Sequence, residues 1–192
     1  VGLTATPKTD VDRNTYDFFE TPHNIPTYAY DYETAVYQDH VLVPYYNYEV
    51  KTKFLEEGIT YEDLSDADKE RYEDDFIGSL PDFIPSAQLN QFVFNEATVD
   101  TVLQDLMERG IKVAGGDRLG KTIIFAQNKR HAQFILERFY KLYPQYSSFA
   151  QRVICEDSYA QRVIDDFKVA EKEPHIAVSV DMMDTGIDAP EC

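Results

Sequence analysis

Strand-like and helix-like patterns of apolar residues alternate through the second half of the chain. Runs of branched and other apolar residues predict buried strands over residues 121–126, 149–155 and 176–181. Between these strands, apolar residues recur at helical spacing and predict helices over 128–142 and 159–167. Three strand units separated by helices predict a parallel, right-handed, doubly wound α/β sheet.

Two helices are also predicted upstream of the sheet. Residues 64–77 place apolar side chains at near-helical spacing behind an acidic first turn, which Ser65 or Asp66 can cap. Residues 98–107 are amphipathic, and Gly110 provides a C-terminal stop. These helices belong to the connection between the first residues and the sheet.

The pattern is weaker at the start of the chain. Residues 1–7 are typical of the end of a buried strand, and residues 9–26 of a polar linker. Alternation predicts an edge strand over 27–30 and a strand over 46–53, with a short helix over 33–39 between them. Tyrosines are dense here, and we expect them to pack against a neighbouring sheet.

Charge is distributed unevenly between the two halves of the chain. The net charge of the 192 residues is −17, with 21 acidic and 6 basic residues in 1–100 but 14 and 12 in 101–192. An acidic surface opposes binding to phosphate backbones, so general nucleic-acid affinity is excluded for the first half only. The acidic stretch around 49–82 is either a solvated face or a surface that recruits a partner.

The ends of the chain and its cysteines restrict its cellular context. No apolar run approaches the roughly 18–20 residues that span a bilayer, and no secretory signal opens the sequence. Cys155 and Cys192 lack metal-ligand spacing, which predicts free thiols in a reducing cytoplasm. Because the sequence begins at Val1 on a strand end and stops just after a motif, we expect an excised piece of a longer protein.

Residues 115–122 match the phosphate-binding pattern G-x-x-x-x-G-K-[ST] in full. A self-contained nucleotide triphosphatase would place Lys121 on the terminal phosphates, Thr122 on Mg²⁺, and Asp181 as the downstream magnesium ligand. Such a loop must follow a buried strand and open a helix, however. The residues after Lys121 favour a strand, so this interpretation is an alternative, with Lys121 otherwise flanking a strand.

Three segments together resemble the motor of superfamily 2 helicases. Residues 3–7 (Leu-Thr-Ala-Thr-Pro) resemble its motif III, residues 121–128 its motif IV and residues 178–190 its motif V. Residues 28–44 are similar to the segment that follows motif III in restriction (R) subunits of type I restriction–modification enzymes. The resemblance covers most of the chain, and the acidic stretch 53–85 contributes little to it.

The resemblance implies a domain organisation and a set of partners. Residues 1–26 would close the first RecA-like domain, residues 27–97 would form a crossover segment with a partly helical acidic insertion, and residues 98–192 would form the second RecA-like domain. ATP and Mg²⁺ would bind between the two domains of the full protein. The partners would be double-stranded DNA and the modification (methyltransferase) and specificity subunits, with no membrane.

Site residues follow from the same resemblance. The matching positions are Thr4 and Thr6 for coupling to ATP hydrolysis, Gly186 and Asp188 for ATP, and Thr185 and Asn128 for the DNA backbone. Many members have Thr where this chain has Val180. The first domain's phosphate loop, its magnesium-binding acidic box, the arginine finger and the nuclease domain are missing, so we expect the isolated chain to be inactive.

Structural interpretations of the same residues remain open. Asp181, Asp184 and Asp188 are also typical turn residues. His131 and His175 have no partners at metal or triad spacing, which favours structural roles. A third class of function is a non-catalytic interaction module built on the acidic, tyrosine-rich half.

Overall fold

The chain divides into two units, Val1–Glu49 and Val50–Cys192. The computed structural model describes residues 7–10, 13–22, 25–50, 56–75, 82–85, 96–183, 189–190 and 192. None of the helices within these ranges is long and apolar enough to cross a bilayer. The predicted strand end at residues 1–6 lies outside the described residues, and the predicted domain boundaries near 26 and 97 stay predictions.

The first unit begins with a small hairpin and one helical turn. Strands β1 (Thr9–Asp10) and β2 (Arg13–Asn14) pair antiparallel, and helix α1 (Thr15–Phe18) follows directly. The Asn14 side chain accepts the backbone N–H groups of residues 16 and 17, which caps α1. Tyr16 is buried beneath this turn.

Residues 25–50 form an irregular loop in place of two predicted strands. The predictions over 27–30 and 46–50 are wrong, and the rest of the second strand (51–53) lies outside the described residues. A π-helical turn, Thr34–Gln38, occupies the region of the predicted helix. Side-chain hydrogen bonds from tyrosines replace a strand ladder here, so the alternation of tyrosine and polar residues imitates a strand pattern.

The described residues of the acidic insertion, in the second unit, include an α-helix, a short 3-10 helix (Tyr61–Asp63) and a two-stranded pairing. Strands β3 (Ile59–Thr60) and β4 (Phe83–Ile84) pair antiparallel. Helix α2 (Asp66–Asp75) lies within the predicted range. The Ser65 hydroxyl accepts the N–H of Asp68 at 3.2 Å, which confirms Ser65 as its cap.

A second capping contact joins the insertion to the next helix, α3 (Glu96–Arg109). Asp68 is buried, and its Oδ1 accepts the backbone N–H of Glu96 at 3.0 Å. A carboxylate at a helix N-terminus is also favoured by the helix dipole. This single side chain therefore ties α2 to the start of α3.

Helix α3 ends at Arg109, directly before Gly110, the predicted stop. A Cβ at Gly110 would lie 2.5 Å from the Leu106 carbonyl oxygen of the same helix and 2.6 Å from the Leu119 side chain, so only glycine fits at this position. Leu119 belongs to a hairpin of strands β5 (Lys112–Val113) and β6 (Arg118–Leu119), which follows the helix and pairs antiparallel.

The rest of the second unit is α/β, with three parallel strands flanked by helices, as predicted. Its elements are β7 (Thr122–Phe125), α4 (Lys129–Leu142), β8 (Ala150–Val153), α5 (Ala160–Phe167) and β9 (Ile176–Ser179). The spatial order is β7-β9-β8, so the last strand lies in the centre. All five elements fall within or close to their predicted ranges.

Alternate residues of β9 face opposite sides of the sheet. Ile176 and Val178 pack in a core cluster with α3 and α4, whereas Ala177 packs in a second cluster with α5. All three are fully buried. The connection from β7 through α4 to β8 and the connection from β8 through α5 to β9 run in opposite directions across the sheet. Right-handed connections that run in opposite directions place their helices on opposite faces. The sheet is therefore covered on both sides.

Candidate functional site

The carboxyl edge of the three-stranded sheet has the geometry of a ligand crevice. The loops after β7 and β8 leave the sheet toward helices on opposite faces, and β9 ends between them. In parallel α/β sheets, ligands bind in the crevice beyond the strand ends where the connections diverge in this way. Strand β9 ends at Ser179, so residues 180–183 follow it at this edge of the sheet.

The turn after β9 is stabilised by a hydrogen bond to the side chain of Ser179. This side chain is fully buried, and its Oγ accepts the N–H of Met183 at 3.2 Å. Met183 is buried in the cluster with α5. Asp181 has a φ of 55°, in the left-handed region that Asp tolerates better than most residues. The chain therefore turns sharply at the crevice, and Asp181 is exposed on that turn.

Most of the residues assigned by resemblance lie outside the described residues. These are Thr4, Thr6, Thr185, Gly186 and Asp188. The structure describes the chain up to Met183 and again from Ala189, which packs against the cluster with α5. The roles of these five residues stay predictions, and so does the turn interpretation of Asp184.

Asn128 is described, and it caps α4 at the crevice. Its Oδ1 accepts the N–H of His131 at 2.9 Å, as the capping prediction requires. The Nδ1 of His131 accepts the N–H of Gln127 at 3.2 Å, and burial lowers the pKa of this imidazole. Because the oxygen of Asn128 is engaged by its own helix, a DNA phosphate contact from this residue would use its amide N–H group.

We expect Asn128→Ala to lower the free energy of unfolding by about 1 kcal/mol, because the first turn of α4 loses its cap. Urea denaturation followed by circular dichroism measures this difference. Asn128→Ser is the matched control, since serine also caps helices, and it should lose much less. Equal losses in the two variants would show that the cap contributes nothing.

An ion pair bridges the two sides of the crevice. Lys129 Nζ lies 2.5 Å from Glu156 Oε1, which joins the start of α4 to the loop after β8. Hydrogen bonding to Lys129 lowers the pKa of Glu156. Both side chains are more than half exposed, so the pair contributes little to stability and can separate readily.

The cysteine beside this ion pair is a free thiol, as is Cys192. A hydrogen bond to Glu156 raises the pKa of Cys155. A raised pKa keeps the thiol protonated, and a protonated thiol is a poor nucleophile. Cys155 therefore lacks the lowered pKa that activates a nucleophilic thiol.

The phosphate-loop interpretation of residues 115–122 is wrong. Gly115 and Gly116 have φ values of 75° and 106° and lie between the two strands of the β5–β6 hairpin. Thr122 begins strand β7, and its hydroxyl donates to the Gly120 carbonyl. No helix opens after this segment, so there is no helix N-terminus to hold a phosphate group.

Lys121 is also at the opposite edge of the sheet from the crevice. Its buried ammonium donates to the backbone carbonyls of Lys172 and Pro174, the latter at 2.8 Å. The register pairs Thr122 with Ile176, so Lys121 and Asp181 are separated by a strand of four residues, or roughly 13 Å. They do not belong to one phosphate site, and Lys121 flanks a strand as the other interpretation predicted.

His175 lies at that amino edge and is almost completely buried. Its ring packs on Phe149 at 5.0 Å, and its Nδ1 has no hydrogen-bond partner among the described residues. Burial, together with the positive charges of Lys121 and Arg118, lowers its pKa to about 4. The imidazole is therefore neutral near pH 7 and has the structural role predicted for it.

The described part of the chain contains no cluster of three His, Cys, Asp or Glu side chains suited to a metal ion. The sequence did not identify Ser179 or the Lys129–Glu156 pair as parts of the crevice. Ser179 could have been identified because it is a small hydroxyl residue within an otherwise apolar strand. No signal identified the ion pair, because its members are 27 residues apart and meet only through the sheet topology.

Comparison with known proteins gives one relationship. No family model matches the sequence, and no solved structure matches it. The chain is 26% identical over 200 residues to the type I restriction enzyme EcoAI endonuclease subunit of Escherichia coli. The match covers 100% of this chain but only 23% of that protein, so the chain spans about a quarter of its relative's length. The similarity supports a relationship to a restriction-enzyme subunit and does not identify a particular domain.

Proposed function

We propose that the chain is part of the ATP-dependent DNA-translocating motor of a type I restriction enzyme. In this proposal it forms most of a second RecA-like domain and supplies one wall of the ATP cleft. The observation that supports it most directly is the divergence of the connections at the carboxyl end of β9, where Ser179 holds the start of the following turn. The similarity to a restriction-enzyme subunit along the whole chain agrees with this assignment.

The proposal assigns the site residues by their resemblance to motifs III and V of superfamily 2 helicases. Gly186 and Asp188 face the nucleotide, and Thr185 faces the DNA backbone. Thr4 and Thr6 couple hydrolysis to movement from the neighbouring domain. Because Val180 has no hydroxyl, this chain lacks the side-chain phosphate contact that threonine makes at that position in many helicases.

The charge distribution favours DNA at the second half of the chain. Residues 101–192 carry a net charge of −2, against −15 for residues 1–100. Lys129 and Arg130 lie in the first turn of α4, beside Asn128 at the crevice. Cations at this position neutralise phosphate groups without sequence preference, as a translocating motor requires.

The described residues do not by themselves fit ATP and Mg²⁺. They contain no metal cluster, and their one phosphate-loop sequence forms a hairpin and a strand. The proposal therefore places the phosphate cradle and the metal on the other motor domain. Bound Mg²⁺ would neutralise charge on the transferred phosphoryl group, and this chain would complete the cleft. The modification and specificity subunits are the proposed protein partners, in the cytoplasm.

The test is the ATPase activity of the full-length protein. We expect Asp188→Ala to lower duplex-stimulated ATP hydrolysis by at least about tenfold while the circular dichroism spectrum stays unchanged. Asp165→Ala is the matched control, because Asp165 is an exposed aspartate on the last turns of α5, away from the crevice. Unchanged hydrolysis in Asp188→Ala would refute the assignment of this turn to the ATP cleft.

A further inference from the structure

Residues 28–48, here called the tyrosine loop, are fixed in position by their own side chains. The Tyr30 hydroxyl donates to Asp39 Oδ2 at 2.6 Å, and this contact raises the pKa of Tyr30 to about 12. Tyr32 donates to the carbonyl of Val43 and accepts the backbone N–H of Tyr45 at 3.0 Å. These contacts hold the two ends of the loop against each other.

This ordered loop exposes apolar side chains of the kind that are normally buried in globular proteins. Val41, Leu42 and Val43 are consecutive and are 66%, 53% and 81% exposed. Tyr45 and Tyr46 follow and are 67% and 93% exposed. Runs of exposed apolar residues mark interaction sites. Aromatic side chains are also enriched at the centres of protein interfaces.

The charge around the apolar side chains restricts what can cover them. Residues 14–50 contain six carboxylates and no Lys or Arg. Four of the carboxylates, at Asp31, Glu33, Asp39 and Glu49, lie in or next to the loop. Nucleic acids and anionic lipid surfaces would be repelled. A second copy of this chain, with its net charge of −17, is also disfavoured.

We propose that the tyrosine loop is a docking surface for another protein, whose contact face is apolar at its centre and rimmed with Lys and Arg. Val43 and Tyr46 insert into the apolar centre, and the carboxylates of the loop pair with the basic rim. Because side-chain hydrogen bonds already order the loop, little conformational entropy is lost on docking. This proposal does not depend on the proposed motor function. It assigns the interaction with another protein, which the sequence left open for the whole acidic, tyrosine-rich half, to the tyrosine loop.

The experiment uses the whole chain and a defined probe. The probe is a fluorescent amphipathic helical peptide of leucine and lysine, which presents an apolar stripe with a basic rim. One reference peptide replaces lysine by glutamate, and a second replaces leucine by serine. The tested variant is Val43→Ser with Tyr46→Ser, and the matched control is Ile111→Ser, which removes an equally exposed apolar side chain from the second unit.

We expect the chain to bind the leucine–lysine peptide and neither reference peptide. The double variant should weaken this binding by about tenfold or more, whereas Ile111→Ser should change it less than about twofold. Equal binding of either reference peptide, or an unchanged affinity of the double variant, would overturn the proposal. Binding of the wild-type chain to duplex DNA or to anionic vesicles would also overturn the proposal if the double variant abolished that binding. Sedimentation of the wild-type chain as a dimer would do the same if the double variant were a monomer.

Discussion

Replacing Arg138 with methionine is expected to lower the free energy of unfolding of the second unit by about 3 kcal/mol. Arg138 on α4 is buried, and its guanidinium makes two hydrogen bonds to Asp100, from Nε to Oδ1 (2.7 Å) and from a terminal nitrogen to Oδ2. The other terminal nitrogen lies 2.6 Å from Glu96 Oε2. Hydrogen bonding to Asp100 raises the pKa of Arg138.

The large loss follows from what the substitution leaves behind. Both carboxylates are about one-fifth exposed, at 22% for Glu96 and 20% for Asp100, so neither is well solvated once its partner is gone. They would also repel each other on adjacent turns of α3. Urea denaturation of the wild type and variant at pH 7 measures the difference.

Two comparisons separate this effect from a general loss of charge. Arg109→Met removes a 63%-exposed arginine that pairs with Asp105 on the same helix, and it should cost less than about 0.5 kcal/mol. Adding Glu96→Gln and Asp100→Asn to Arg138→Met should restore much of the lost stability, because no carboxylate is then unpaired. If Arg109→Met and Arg138→Met were equally destabilising, the buried network would have no special role.

Acidification is expected to destabilise the second unit through His175. The pKa of this histidine is about 4 in the folded chain, against 6.5 for the free side chain. Above pH 6.5 both states are neutral and the group contributes no pH dependence. Between pH 6.5 and 4 the unfolded chain binds a proton that the folded chain does not, so stability falls with falling pH. The slope is about 1.4 kcal/mol per pH unit, and the loss reaches roughly 3 kcal/mol.

The measurement compares the pH dependence of unfolding in wild type and His175→Gln. All carboxylates are common to both proteins, so the difference between the two profiles isolates this histidine. We expect His175→Gln to make the free energy of unfolding less dependent on pH between pH 6.5 and 4, by the equivalent of about one proton bound on unfolding. His40→Gln, which removes an exposed histidine of the first unit, is measured in parallel as the matched substitution. A His175→Gln profile parallel to the wild type would show that the imidazole is protonated in the folded chain.

The α/β half of the fold was predictable because its local and long-range preferences agree. Branched residues form β7 and β9, Asn128 caps α4, and Gly110 ends α3. The spatial order of the strands was not predictable, since it depends on which faces the helices cover. The placement of β9 in the centre emerges only from the paired registers.

The first fifty residues show why alternation alone misleads. Their tyrosines alternate with polar residues as in a strand, but the hydroxyls of Tyr30 and Tyr32 donate to Asp39 and to the carbonyl of Val43. Local side-chain hydrogen bonds compete with a strand ladder, and here they prevail. The phosphate-loop match failed for a similar reason, because a pattern of eight residues does not specify the helix that must follow it.

The candidate site was predictable in position but not in contacts. The turn after β9 was expected at the carboxyl edge, and the structure places its start there with Ser179 and Asp181. Asn128 was identified both as a cap and as a DNA-contacting residue, and the structure shows the cap. The predicted contact of Asn128 with DNA, and the predicted roles of Thr185, Gly186 and Asp188, stay predictions because each needs a surface that the described residues do not provide.

The most direct measurement of motor function is displacement of a third-strand oligonucleotide from duplex DNA by the full-length protein with its partner subunits. If the chain is part of a translocase, displacement requires ATP hydrolysis, is delayed with distance along the duplex, and is lost in Asp188→Ala while DNA binding persists. Displacement at the wild-type rate by Asp188→Ala, or ATP hydrolysis by the wild type without any displacement, would refute the assignment of this chain to a DNA-translocating motor.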